Sequence, residues 1–166
     1  WTAVNVGSTN AQYFTGPQSV FALDQFHIWA VTNDGYIYFS EDGGATWTAQ
    51  ESGTLTATAW NAVKFIDDLN GWVAGASNEI AYTADGGVTW TAVTGPVAQA
   101  AQSILSLFQV DEYIVWLGYD DGDLYYTMDA GAHWYQRTLP VTADDIEWIG
   151  FVNELVGFIT YNTAGG

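Results

Sequence analysis

The run FSEDGGATWTA, residues 39–49, holds a serine, two acids, two glycines, two threonines and a tryptophan within eleven positions. Ser40-Glu41-Asp42 invites a catalytic or metal-binding reading; the paired glycines invite a turn. The choice is decided by recurrence. The run returns as TADGGVTW at 83–90 and TMDAGAHW at 127–134. The shared pattern is Ser/Thr, any residue, Asp, any residue, Gly, any residue, usually Thr, then Trp. Its tryptophans are Trp47, Trp90 and Trp134, at steps of 43 and 44 residues. WTAV at the start matches WTAQ at 47–50 and WTAV at 90–93, so Trp1 reads as the tail of an earlier copy. Three copies at near-constant spacing mark a structural repeat rather than a catalytic cluster.

The stretches between copies match as well. KFIDDLNGWVAG (64–75) resembles GFVNELVGFITY (150–161): an apolar strand, an acidic turn, then Gly and an aromatic opening the next strand. Each period reads as four short strands. In the second these are NAVKFID, GWVAGAS, EIAYTAD and VTWTAV; in the third, SILSLFQV, YIVWLGY, DLYYTMD and AHWYQRT. NDGY (33–36) and DDGD (120–123) separate second from third strands as two-residue hairpin turns, where Asp-Gly tolerates positive φ. GPVAQAAQSIL (95–105) is the one stretch suited to a helical turn, opened by Pro96. Four-stranded units recurring about every 43 residues specify an all-β β-propeller. The expectation is one domain over 1–166, with repeats at about 1–46, 47–89 and 90–133 and an incomplete one at 134–166, as a small closed ring or part of a larger one. Beginning at Trp1 rather than Met, the sequence is expected to be a processed product or a segment of something longer.

Composition narrows the function. Nine Trp, ten Tyr and eight Phe supply bulky, sheet-favouring side chains, and 18 Gly with three Pro supply tight turns. With no Cys there are no disulfides and no thiolate metal sites. Nineteen acids face one lysine, Lys64, and one arginine, Arg137, for a net charge of −17. Such a surface repels phosphate backbones and anionic lipid, which argues against nucleic-acid binding. No apolar run approaches the length of a membrane-spanning helix.

The three boxes resemble the Asp-box, or bacterial neuraminidase repeat, of sialidases, sortilin-type receptors and photosystem II assembly factors. The resemblance covers nearly the whole chain. It implies that each box is the hairpin between the third and fourth strands of a propeller blade. Asp42, Asp85 and Asp129 would accept backbone N–H bonds within the turn, beside Ser40, Thr83 and Thr127. Gly44, Gly87 and Gly131 would permit the turn, with Thr46 and Thr89 completing it, and Trp47, Trp90 and Trp134 would pack between blades. His133 stands where Thr is usual, so the third box is expected to be looser.

The same resemblance weighs the chemistry. Sialidases grip the substrate carboxylate with three arginines, because guanidinium forks match a planar anion, and this chain has one. A photosystem assembly role, which the resemblance ties to a basic patch, suffers from the same shortage. Another glycosidase needs only paired carboxylates. The ligand face implied by the family lies opposite the boxes and here carries Asp34, Glu79, Asp120, Asp121, Asp123, Asp144 and Asp145, with Tyr13, Phe14 and Trp60 in or beside the inter-blade links. Nothing in their spacing selects an acid/base pair. YDDGD (119–123) offers hard oxygens to calcium, but it lacks an EF-hand ligand series and hairpin chemistry already accounts for it. His27 and His133 sit on different strands, with no triad or zinc set. No cofactor is required.

The expected function is a non-enzymatic structural and binding module, displayed extracellularly or on a virion surface within an oligomer or larger assembly. Its expected partners are protein subunits or glycans, with no nucleic acid and no membrane insertion. The alternative is a carbohydrate-binding or glycoside-cleaving propeller.

Overall fold

A computed structural model describes residues 17–50, 55, 59–96, 101–140, 142–153 and 156–163. Fourteen strands follow one another: β1 (Pro17–Ala22), β2 (Ile28–Thr32), β3 (Ile37–Ser40), β4 (Thr48–Gln50), β5 (Trp60–Phe65), β6 (Gly71–Gly75), β7 (Ile80–Thr83), β8 (Thr91–Val93), β9 (Ile104–Gln109), β10 (Val115–Tyr119), β11 (Leu124–Thr127), β12 (Tyr135–Gln136), β13 (Asp145–Asn153) and β14 (Val156–Asn162). They form three four-stranded antiparallel meanders, β1–β4, β5–β8 and β9–β12, and a two-stranded sheet, β13–β14. These are three propeller blades and the first half of a fourth.

The blades stack side by side through three cores. Trp29, Val31 and Ile37 of the first blade meet Trp60, Val63, Phe65 and Trp90 of the second. Trp72, Ala74 and Ile80 of the second meet Ile104, Leu107, Val115 and Leu117 of the third. Leu124 of the third meets Ile146 and Ile149 of the fourth sheet. A strand in mid-blade is covered on both faces, so it reads as an apolar run without strict alternation; all five residues of β6 are buried.

First strands lie innermost. β1, β5, β9 and β13 succeed one another around a central groove of about 370 Å³ that takes residues from all four. Polar side chains tie neighbouring inner strands: Asn61 Nδ2 donates to the Ile104 carbonyl at 2.9 Å, and Ser106 Oγ to the Ile146 carbonyl at 2.8 Å. Both Asp-Gly turns fall between second and third strands, with Gly35 and Gly122 at φ 85 and 80. In the second blade that link is a single 3-10 turn, Ala76–Asn78. The fourth strands are short, two or three residues each. Of the helical-turn candidate in 95–105, residues 97–100 lie outside the described residues, as does Trp1 with the start of the chain, while Ile104 and Leu105 are not helical but open β9.

Candidate functional site

Each box closes on its aspartate. Asp42 Oδ1 accepts the Thr46 N–H at 2.8 Å and Oδ2 accepts the Thr46 hydroxyl at 2.6 Å, while Ser40 Oγ donates to Oδ1 at 2.9 Å and accepts the Gly44 N–H at 2.8 Å. Asp85 repeats this with Thr89 at 2.8 and 2.6 Å and with Thr83, whose Oγ1 accepts the Gly87 N–H. In the third box the His133 N–H reaches Asp129 Oδ1 at 2.8 Å and His133 Nδ1 meets Oδ2 at 2.7 Å. His133 therefore preserves both contacts, and the third box is no looser there. Its departure lies at Ala130, which takes φ 53 where the other boxes use Gly43 and Gly86.

These bonds favour the ionised carboxylates. The Thr46 hydroxyl, with the Thr46 N–H, draws Asp42 down to about 2, and the His133 ring does the same for Asp129. The Thr89 hydroxyl lowers Asp85. Carboxylates so held are poor proton donors and are occupied as acceptors. This is turn chemistry.

A second aspartate ladder, which sequence reasoning passed over, stands beside the first. Asp24 Oδ1 accepts the N–H groups of Phe26 and His27, Asp67 Oδ1 those of Leu69 and Asn70, and Asp111 Oδ1 those of Tyr113 and Ile114. Each turns the first strand of a blade into the second. The carbonyls these turns expose receive the boxes: Gly43 N–H donates to Phe26 O, Gly86 N–H to Leu69 O and Ala130 N–H to Tyr113 O. The signal was present, because Asp24, Asp67 and Asp111 stand 43 and 44 apart, each five residues before a Trp.

The acids of the opposite rim are spread over three blades. Asp34 belongs to the first blade, Glu79 to the second, and Asp120, Asp121 and Asp123 to one turn of the third, where Asp121 Oδ1 accepts the Asp123 N–H at 3.2 Å. Among the described residues, no three His, Cys, Asp or Glu side chains are placed to hold a metal ion. Trp60 requires correction. Its side chain is 0% exposed, packed among Trp29, Val63 and Phe65, and it presents no surface to a ligand. Tyr13 and Phe14 lie outside the described residues.

Two concave surfaces set a basic side chain among aromatic rings. In the central groove the only lysine is half-buried, its ammonium 4.5 Å from the Phe21 ring and 5.2 Å from that of Phe108, and burial lowers its pKa. Glu147 and the exposed Trp148 line the same groove. A larger groove of about 510 Å³ lies between the third blade and the fourth sheet, with Trp116, Tyr126, Phe151, Phe158 and Arg137 in its wall.

Repeated four-stranded blades, innermost first strands and aspartate-closed boxes define an Asp-box β-propeller arc. The model of the BNR/Asp-box repeat matches residues 38–49, which hold the first box. No curated protein matches this chain in sequence. Among solved structures, YCF48 bound to D1 peptide superposes with a TM-score of 0.65 over 77% of this chain at 21% identity. An ancestral GH74 enzyme does so at 0.63 over 81% with 16% identity, and the GH74 xyloglucanase from Xanthomonas campestris at 0.58 over 75% with 14%. The chain spans 41%, 20% and 22% of their respective lengths. At these identities the likeness shows the propeller fold.

Proposed function

We propose that this chain is a non-enzymatic structural and binding module that works inside a larger assembly, displayed outside the cell or on a virion surface. One observation carries the reading. The fourth sheet presents Trp148, Val152, Phe158 and Tyr161 to solvent at 53%, 73%, 59% and 38% exposure. A concentration of large apolar side chains on one two-stranded sheet marks a contact surface. The acidic remainder keeps the chain soluble and discourages unspecific association. The carboxylates most firmly placed by the fold are spent on turns, which leaves catalysis without an obvious acid. A propeller of this fold, YCF48, has been solved with a peptide bound, which fits a protein partner here. Oxidative footprinting tests the reading: Trp148 and Phe158 should be protected in the native assembly and reactive in the isolated chain. Equal reactivity in both would remove the assembly role. Antibody labelling of intact particles or cells tests the display.

The alternative is a carbohydrate-binding or glycoside-cleaving propeller. It draws on the central groove, where the exposed Trp148 stands beside Glu147 and Lys64 as an aromatic platform with polar neighbours suited to a sugar ring. Two GH74 enzymes share the fold. A glycan array with Trp148→Ala as control separates the two: saturable binding lost in the variant favours the sugar reading.

A further inference from the structure

The turns from first to second strand carry side chains that the fold does not require. Each turn opens on Asp24, Asp67 or Asp111, and two places on stand Phe26, Leu69 and Tyr113, at steps of 43 and 44 residues. The turn uses both backbone polar groups of that residue. Its N–H donates to the aspartate, and its carbonyl accepts the N–H of Gly43, Gly86 or Ala130 from the box of the same blade. Nothing is asked of its side chain: Phe26, Leu69 and Tyr113 are 51%, 50% and 53% exposed. A polar residue would serve the turn equally well, yet all three blades place a large apolar one there. The match of KFIDDLNG to GFVNELVG puts Leu155 at the same place in sequence, outside the described residues.

In an antiparallel meander the first and third turns fall at the same end of the blade. The boxes therefore add their own exposed side chains to this end, Val88 at 75% and Met128 at 55%. One exposed apolar side chain is ordinary on a folded surface. Five at one end, three of them in register from blade to blade, mark a surface for contact. This end lies opposite the expected ligand face and does not include Trp148 or Phe158 of the fourth sheet.

Charge says what fits. The same end holds the six aspartates of the two ladders and the exposed Glu41, Asp68 and Glu112. The chain's two bases lie elsewhere. Lys64 reaches between Phe21 and Phe108 in the central groove, and Arg137 bonds to the Leu124 carbonyl, at the end of β11 away from the box.

We propose that the box end of the blades is a docking surface for a cationic amphipathic protein segment, which lays apolar side chains against Phe26, Leu69 and Tyr113 and sets lysines or arginines against the carboxylates around them. Complementary charge steers such a segment to this end and fixes how it lies. A second copy of the chain, at net −17, arrives with the wrong sign, as do nucleic acid and anionic lipid.

The proposal adds a second surface to the assembly reading and names the chemistry of its partner. The test titrates the chain onto labelled peptides at physiological salt, followed by fluorescence anisotropy: an amphipathic leucine–lysine helix, a polylysine of equal length and a leucine–glutamate counterpart. The leucine–lysine peptide is expected to bind saturably, polylysine about tenfold more weakly, and the glutamate peptide not at all. Phe26→Ser, Leu69→Ser and Tyr113→Ser together should weaken the leucine–lysine peptide by about tenfold or more. These side chains are half-exposed, so the variant is expected to fold, and its melting curve checks this. Glu41→Gln, Asp68→Asn and Glu112→Gln together should weaken binding more than an equal loss of charge at the opposite rim, by Asp34→Asn, Asp121→Asn and Asp144→Asn. Phe158→Asp should not weaken it. Equal weakening by the two neutralised sets overturns the proposal, because the attraction would then belong to the chain as a whole. So does undiminished binding by the triple serine variant, or loss of binding with Phe158→Asp, which would move the seat to the fourth sheet. Failure of the leucine–lysine peptide to bind, with Trp148 and Phe158 still protected in the native assembly, sinks this surface and leaves the assembly role standing.

Discussion

Phe65 lies face to face with Trp29, their ring centroids 3.8 Å apart and their planes 17° from parallel, across the boundary between the first two blades. Both side chains are almost wholly buried, and Trp90 closes the contact from the second blade's own box. Phe65→Ala should therefore cost about 3–5 kcal/mol, through lost burial and the cavity left against Trp29. Urea denaturation measures it. A loss below about 1 kcal/mol would mean that the blades are not held by this stack.

Gly87 sits at φ +89 with the Gln50 side-chain amide where a β-carbon would point. Gly87→Ala should destabilise by roughly 1–3 kcal/mol, from the left-handed backbone and the displaced amide together. If Gln50→Ala in the same chain restores part of the loss, the collision rather than the backbone is the larger cause.

Turn carboxylates of both ladders make stability depend on acid. Asp24, Asp42 and Asp129 are drawn from 3.8 to about 2 by hydrogen bonds that exist only in the fold, first among them those from the His27 ring, the Thr46 hydroxyl and the His133 ring. A depressed folded-state pKa gives stability that is whole above the unfolded value and disappears as pH falls through the folded value. The melting temperature should thus fall between about pH 4 and pH 2. Asp85→Asn, which keeps the shape but removes the charge, should lower the melting temperature at neutral pH and narrow the difference from wild type in acid. A parallel pH profile for the two proteins would show that the box charge contributes nothing.

Charge also sets what the chain ignores. With a net charge of −17, retention on heparin or DNA columns at physiological salt should be negligible. Elution only above that salt would point to Lys64 or Arg137 acting within a local basic site.

The period of the boxes was legible because Asp, Gly and Trp each have a task that no other residue performs at that position. The Asp24, Asp67 and Asp111 ladder shares the period but was harder to see. An Asx turn constrains only the aspartate, and its neighbours read DQFH, DDLN and DEYI. Trp60 misled because it follows an inter-blade link, whereas it opens β5 and its ring turns into the core. The aromatic groove could not be read from any local pattern. It exists through the relation of Trp116 and Tyr126 to a fourth sheet of only two described strands, and that relation is three-dimensional.

Lys64 lies within β5, between the rings of Phe21 and Phe108, while Arg137 is exposed at the end of β12 and residues 137–139 belong to no strand. Trypsin cuts after lysine and arginine, so this chain offers it two bonds and the folded state shields one of them. Limited digestion should first open the backbone after Arg137, leaving β1–β12 and β13–β14 as two pieces held together by packing around Ile146, Ile149 and Phe151 and by the Ser106–Ile146 hydrogen bond. Cutting at Lys64 requires β5 to leave its sheet. The order of the two cuts therefore reports, on a gel, whether the inner strands are still in place.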